Sequence, residues 1–177
     1  MNTARLIINA QSLIEALKGK DENACLLFID FSTAYDKVVR SKLYKKMLAK
    51  KVLSINNMKL LKFIHKNISI NYKKKTCQPE TGVPQGCLTS PSLFNIYIED
   101  LLDMFLLDHV IMFILAYADD IVFLIKNEIN IAKVINKIES WSKKNNMIIN
   151  YKKSGLVPLG IIKKNLSLKL IKLTKNI

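Results

Sequence analysis

The sequence predicts an α+β fold, in which an antiparallel sheet carries helices on one face and acidic side chains on the other. Three observations support this prediction. Two short apolar runs flank a pair of aspartates within residues 110–125, a pattern typical of a β-hairpin. A continuous apolar run at residues 24–31 predicts a further buried strand. Segments with helical spacing of apolar residues lie between and after these strands, so strands and helices are mixed along one chain.

Further elements follow from local patterns. Helical spacing predicts helices at residues 3–18, 41–50 (Leu43, Met47 and Leu48 inward), 55–66 (Ser54 as cap), 90–102 (Ser90 as cap) and 128–146. Alternation over residues 68–75 predicts an edge strand or a hairpin with a basic rim. Residues 82–86 form a glycine- and proline-containing loop, and residues 147–150 a short strand. The tail that begins at Leu156 is apolar and basic.

Length and charge limit the possible functions. The chain has 177 residues, which suggests one domain, and its net charge is +14. A charge this high favours a polyanionic partner, and nucleic acid is the first candidate. The alternative is a basic surface that serves solubility, or a composition rich in Lys and Asn because of codon bias.

The three cysteines and the apolar segments bear on the compartment. The sequence has no Cys-x-x-Cys pair among its three cysteines, Cys25, Cys77 and Cys87. This predicts reduced thiols in a reducing, intracellular compartment. The N-terminus lacks the pattern of a secretory signal. Charged residues and a histidine interrupt the apolar window at residues 104–125, so no membrane span or membrane partner is predicted. Localisation is otherwise left open.

Three acids lie at the ends of predicted strands: Asp30, Asp119 and Asp120. Carboxylates beside apolar strands are costly unless a cation neutralises them, and divalent ions prefer carboxylate oxygens. If the Asp30 strand pairs beside the hairpin, two to three carboxylates meet and could hold two metal ions about 3.5–4 Å apart. This supports metal-assisted phosphoryl transfer on nucleic acid, by a polymerase or a nuclease. The alternatives are a helix cap for Asp30 and an ordinary acidic turn for the pair.

Four segments, in this order, resemble the catalytic motifs of reverse transcriptases. FIDFSTAYD (residues 28–36) resembles the first motif, and GVPQGCLTSP (82–91), followed by LFN, resembles the second. AYADD (116–120) resembles the Tyr-x-Asp-Asp box, and NYKKS (150–154) is similar to the Asn-x-x-Lys-Thr/Ser element. The first motif is most similar to non-LTR (LINE-type) retrotransposon enzymes, with group II intron enzymes the next nearest. A viral or cellular polymerase of related architecture fits less well, because RNA-replicating enzymes more often carry Gly-Asp-Asp.

The resemblance implies a single reverse transcriptase domain over residues 1–177, which is an RNA-directed DNA polymerase. Residues 1–23 would be a fingers or palm-helix remnant, 24–155 a polymerase palm, and 156–177 an incomplete C-terminal extension, with partial fingers and no thumb. The implied reaction is two-metal nucleotidyl transfer from a deoxynucleoside triphosphate (dNTP) to a DNA primer 3′-OH on an RNA template. The isolated chain is expected to be weakly active or inactive. The alternative is a catalytically inactive, nucleic-acid-binding remnant of a retroelement polyprotein.

The resemblance also implies roles for the acids and for one lysine. Asp30 and Asp119 would bind two Mg²⁺ ions, for which Mn²⁺ can substitute, with the Phe31 carbonyl as a further ligand. Asp120 would be a weaker ligand, or an acid beside the ligands that does not bind the metal directly. Lys153 matches the position proposed to protonate the leaving pyrophosphate, and a solvated turn lysine is the alternative.

Nucleotide-binding roles are implied for residues of the first two motifs. Backbone N–H groups near Thr33 and Ala34 would approach the triphosphate. Tyr35 would stack under the sugar and exclude a 2′-OH, with simple packing as the alternative. Gln85 and Gly86 would position the nucleotide and template base. Residue 86 must be small, because a backbone approaches the ligand closely there. The expected contacts to nucleic acid are the lysines Lys73, Lys74, Lys75 and Lys152.

Overall fold

The computed structural model describes residues 24–73, 75–117, 119–126 and 130–159. In chain order its elements are β1 (Ala24–Ile29), α1 (Ala34–Lys37), α2 (Arg40–Ala49), α3 (Ile55–Lys66), β2 (Ile70–Tyr72), β3 (Lys75–Cys77), α4 (Ser90–Asp103), β4 (Ile111–Tyr117), β5 (Asp120–Lys126), α5 (Ile131–Lys144) and β6 (Gly155–Leu159). The helix expected at residues 3–18 lies outside the described residues.

The main sheet has four antiparallel strands in the order β4-β5-β1-β6. β4 and β5 form the predicted hairpin around the two aspartates. β1 pairs with β5 as far as Ile29 opposite Ile121, so the Asp30 strand does lie beside that hairpin. The sequence did not predict β6, which covers the other edge of β1. The boundary expected between residues 155 and 156 falls inside this strand; the division into domains stays a prediction.

The core lies on one face of the sheet, under the helices. Along β1, Cys25, Leu27 and Ile29 are buried, whereas Phe28 on the opposite face is 38% exposed. The buried residues of α4 and α5 that join the same core are Leu93, Phe94, Tyr97, Ile98, Leu101, Ile131, Val134, Ile135, Ile138 and Trp141. The predicted α+β fold, with helices on one face of an antiparallel sheet, is therefore confirmed.

Several local predictions are corrected by the packing. Leu48 was expected to point inward but is 48% exposed. Thr89, not Ser90, precedes α4; the Ser90 hydroxyl donates instead to the Pro84 carbonyl at 2.5 Å. The strand expected at residues 147–150 is reduced to a single bridge between Ile149 and Phe31. These differences arise because local patterns do not specify which neighbouring segment covers a side chain.

β2 and β3 form a separate two-stranded hairpin, as predicted for residues 68–75. The three cysteines form no disulfide. Among the described residues, no helix has the length and apolar character needed to cross a membrane.

Candidate active site

A cleft of about 790 Å³ opens where the four motif segments meet. The residues that line it are Asp30, Phe31, Ser32, Thr33, Ala34, Tyr35, Gln85, Gly86, Cys87, Leu88, Ser90, Pro91, Asp119, Asn150 and Lys153. The lining residues Asp30 and Lys153 are 123 positions apart in sequence, and the β5-β1-β6 pairing brings the first, third and fourth segments together. The cleft thus contains most of the residues that the sequence selected.

Two backbone hydrogen bonds fix the segment that follows β1. The Ser32 N–H donates to the Ile148 carbonyl at 2.8 Å, and the Asn150 N–H donates to the Asp30 carbonyl at 2.9 Å. Phe31 between them is therefore in a non-hydrogen-bonded pair with Ile149. Its own carbonyl points to the other side of the chain, towards β5, where the Asp119 turn lies.

Asp30 and Asp119 both line the cleft and are partly buried. Neither carboxylate takes part in an ion pair among the described residues. Asp120 begins β5, is exposed and does not line the cleft. Within the described ranges no three His, Cys, Asp or Glu residues cluster tightly enough to hold a metal by themselves.

A divalent ion nevertheless fits the donor set of the cleft. Two carboxylates without a cationic partner and one outward-pointing backbone carbonyl are hard oxygen donors, which Mg²⁺ and Mn²⁺ prefer. Mg²⁺ is usually bound by one or two carboxylates, with water and substrate phosphates completing its shell. Asp30, Asp119 and the Phe31 carbonyl match this donor chemistry.

Tyr35 is held between the core and the cleft. Its ring stacks on Phe94, with the ring centroids 5.1 Å apart and the planes 20° from parallel. Burial raises the pKa of its phenol, and the charge of Asp119 and the phenol of Tyr117 raise it further. Tyr35 is thus a packed residue whose ring also forms part of the cleft wall beside Asp119.

The turn before α1 exposes backbone donors to the cleft. Thr33 adopts a left-handed conformation (φ 47°, ψ 47°), which is uncommon for a residue with a branched side chain. Its carbonyl accepts the Asp36 and Lys37 N–H groups at 3.0 and 3.1 Å. In the described part of the chain, the N–H groups of Thr33 and Ala34 donate to no protein acceptor.

The loop at residues 82–86 docks onto the segment around α1. The Gly82 N–H donates to the Val38 carbonyl at 2.8 Å, and the Val83 N–H donates to the Tyr35 carbonyl at 3.0 Å. Gln85 is exposed, and its Nε2 donates to Oδ1 of Asp36 at 3.2 Å. The loop and the first motif are therefore one connected unit that forms two walls of the cleft.

Comparison with known families identifies this arrangement. The profile of the family described as reverse transcriptase (RNA-dependent DNA polymerase) matches residues 2–165. The chain belongs to the reverse transcriptase family.

Individual relatives agree with that assignment. The RNA-directed DNA polymerase from mobile element jockey of Drosophila funebris is 29% identical over 151 residues, which cover 77% of this chain and 16% of the relative. The relative comes from a mobile element, which supports the non-LTR retrotransposon resemblance. This reverse transcriptase chain therefore spans about a sixth of the length of the curated relative.

Solved telomerase structures share the fold at low sequence identity. Apo telomerase from Candida tropicalis, truncated from its C-terminal domain, matches with a TM-score of 0.69 and 15% identity, over 93% of this chain and 36% of that one. Telomerase from Candida albicans, in complex with a fragment of telomeric RNA, matches with a TM-score of 0.60 and 13% identity, over 92% and 31%. The similarity supports a palm-type polymerase domain.

The sequence did not single out Arg40, which braces the loop of this reverse transcriptase. Arg40 is only 9% exposed, and its Nε donates to the Gly82 carbonyl at 2.8 Å. Its Nη1 donates to the carbonyls of His65 and Pro79, both at 2.8 Å. The sequence signal that could have identified Arg40 is the rarity of arginine, since the chain contains only two arginines among its 28 basic residues.

The described lysines among the predicted site residues differ in whether they line the cleft. Lys153 lines it, whereas the neighbouring Lys152 is exposed and does not. Lys73 is exposed in the turn of the β2–β3 hairpin. Lys75 is in β3, where only its backbone is described, and Lys74 lies outside the described residues. The roles of these lysines stay predictions.

Proposed function

We propose that this chain is the palm of an RNA-directed DNA polymerase, which adds deoxynucleotides to a DNA primer 3′-OH on an RNA template. The observation that supports it most is the single cleft lined by Asp30, Asp119, Gln85 and Gly86. Reverse transcriptases use divalent metal ions and nucleic-acid templates, so a cleft with two unpaired carboxylates in a chain of charge +14 suits that chemistry.

Asp30, Asp119 and the Phe31 carbonyl would hold the metal, which we propose to be Mg²⁺. When bound, such ions stabilise the charge that develops on the attacking and leaving oxygens of phosphoryl transfer. Asp120, outside the cleft, contributes negative charge near the site without direct coordination.

The remaining residues would bind and orient the nucleotide. The N–H groups of Thr33 and Ala34 donate to phosphate oxygens, as backbone donors do in other phosphate sites. The Tyr35 ring supports the sugar, and its stacking on Phe94 restricts its movement. Gln85, with Gly86, would position the nucleotide and template base. Lys153, which lines the cleft, would donate a proton to the departing pyrophosphate oxygen.

The test is extension of a DNA primer on a homopolymer RNA template, with Mg²⁺ or Mn²⁺ and one labelled dNTP. We expect weak but template-dependent incorporation by the wild-type chain and a loss of at least about 100-fold in Asp119→Asn, because a neutral amide is a poor ligand for hard cations. Asp103→Asn is the matched control, since Asp103 is an exposed acid at the end of α4, outside the cleft. Equal incorporation by wild type and Asp119→Asn would contradict the proposed metal site.

The second candidate is a nucleic-acid-binding remnant without catalysis, which the net charge of +14 supports. Binding would be independent of sequence, with dissociation constants on the order of 10⁻⁴–10⁻⁶ M at physiological salt. Salt-sensitive binding of a template–primer, without incorporation under any metal condition, would favour this candidate over the polymerase.

A further inference from the structure

Ser154, in the segment at residues 150–154, contacts the end of β1 through its side chain. Its Oγ accepts a hydrogen bond from the Asp30 N–H at 3.1 Å, between residues that are 124 positions apart in sequence. Both residues are partly buried. We propose that Ser154 is a positioning residue, which holds Asp30 in the orientation needed for metal binding. The inference rests on the proposed function in one respect, the assignment of Asp30 as a metal ligand.

The sheet ends just before this contact. Pairing between β1 and β6 stops at Phe28 opposite Gly155, so the sheet ladder supplies no β6 carbonyl for the Asp30 N–H. The preceding chain turns away, because the Lys153 and Ser154 N–H groups both donate to the Asn150 carbonyl, at 3.0 and 2.8 Å. The Ser154 hydroxyl therefore replaces the missing carbonyl and holds the chain two residues beyond the last pair of β1 with β6.

The same segment holds the other backbone group of Asp30. The Asn150 N–H donates to the Asp30 carbonyl at 2.9 Å. Both polar backbone groups of Asp30 are thus bonded to residues 150 and 154, while its carboxylate lines the cleft. Removal of the hydroxyl leaves a partly buried N–H without an acceptor and frees one side of the aspartate backbone.

A loosened ligand binds metal less tightly. Mutation of a residue that orients a metal ligand typically lowers the metal affinity by about 10–100-fold. We therefore expect Ser154→Ala to weaken metal binding at Asp30, whereas Ser154→Thr retains a hydroxyl and restores it. A purely structural contact would lower stability and leave metal affinity unchanged.

The first measurement is amide hydrogen exchange at Asp30 by NMR, which needs neither metal nor activity. Exchange at Asp30 is expected to be faster in Ser154→Ala than in wild type, with the Val83 amide unchanged as an internal reference. Ser54→Ala is the matched control: Ser54 Oγ also accepts a backbone N–H, that of Asn57 at 3.3 Å, but at the start of α3. Unchanged Asp30 exchange in Ser154→Ala would overturn the proposal.

The second measurement is Mn²⁺ affinity by electron paramagnetic resonance, with thermal unfolding to confirm that each variant is folded. We expect Ser154→Ala to bind about 10-fold more weakly, with Ser154→Thr and Ser54→Ala like wild type. If Ser154→Ala does not fold, Ser154→Cys, with a weaker acceptor, is expected to give an intermediate affinity. If a folded Ser154→Ala or Ser154→Cys variant binds Mn²⁺ as tightly as wild type, the role of Ser154 is refuted, while the proposed function is not affected. Equal Mn²⁺ binding by wild type and Asp119→Asn refutes the proposed metal site itself.

Discussion

At the scale of single residues, Gly82 and Gly86 have similar backbone conformations but different surroundings. Their φ angles are +87° and +80°, in a region that L residues with a side chain rarely adopt. A Cβ on Gly82 would lie 3.1 Å from both the Cα and the carbonyl oxygen of Asp36, whereas a Cβ on Gly86 would meet nothing within 4 Å. Gly82 therefore serves the close docking of the loop, while Gly86 leaves room in the cleft.

The two glycines provide a matched pair of substitutions. Gly82→Ala combines backbone strain with a backbone clash, so we expect it to lower the free energy of unfolding by about 2–4 kcal/mol. Gly86→Ala carries only the strain, about 1 kcal/mol, but narrows the cleft. Urea denaturation measures the loss of stability in both variants. The KM for dNTP measures the effect of the narrowed cleft in Gly86→Ala. Equal stability losses would show that the Asp36 contact does not matter.

At the scale of elements, α2 connects the parts that surround the cleft. On its buried side, Lys46 donates to Oδ1 of Asp100 at 2.7 Å, and the Trp141 Nε1 donates to the same oxygen at 3.0 Å. Three helices, α2, α4 and α5, thus share one carboxylate behind the sheet. Burial lowers the pKa of Lys46, and the hydrogen bond to Asp100 opposes that shift.

The first residue of α2, Arg40, ties that helix to the end of α3 and to the loop at residues 79–82. Arg40→Met would leave three carbonyls without their donor, so we expect a loss of about 2–4 kcal/mol in the free energy of unfolding. Lys45→Met is the control, since Lys45 is an exposed basic residue of the same helix. Chemical denaturation of both variants tests this expectation, and losses of similar size would contradict the bracing role.

At the scale of the whole molecule, the charge of +14 would make the proposed nucleic-acid binding dependent on salt. We expect log K for a template–primer to fall linearly with log[salt]. Lys152→Ala should reduce that slope by about 1 if Lys152 contacts a phosphate, whereas Lys59→Ala, an exposed lysine of α3, should not. Fluorescence anisotropy at several salt concentrations measures the slopes. Identical slopes in all three proteins would exclude Lys152 as a phosphate contact.

Local patterns determined much of the chain. Residues 55–66 form α3 within the predicted bounds, with Ser54 as its cap, because capping and apolar spacing act over a few neighbouring residues. The two apolar runs that flank the aspartates similarly determined the hairpin of β4 and β5. The motifs were sufficient to place the chain in the reverse transcriptase family, since their order and residue types are visible without coordinates.

Tertiary structure alone decided the contacts that depend on distant segments. β6 carries an apolar pattern that became a strand only because the edge of β1 was available for pairing. The docking of Gly82, the three carbonyls around Arg40 and the hydroxyl of Ser154 on Asp30 each join residues more than 20 positions apart. Such hydrogen bonds and contacts depend on where the folded backbone brings its polar groups, and no local sequence pattern encodes that position. The sequence therefore predicted which residues are candidates for the chemistry, and the fold decided what holds them in place.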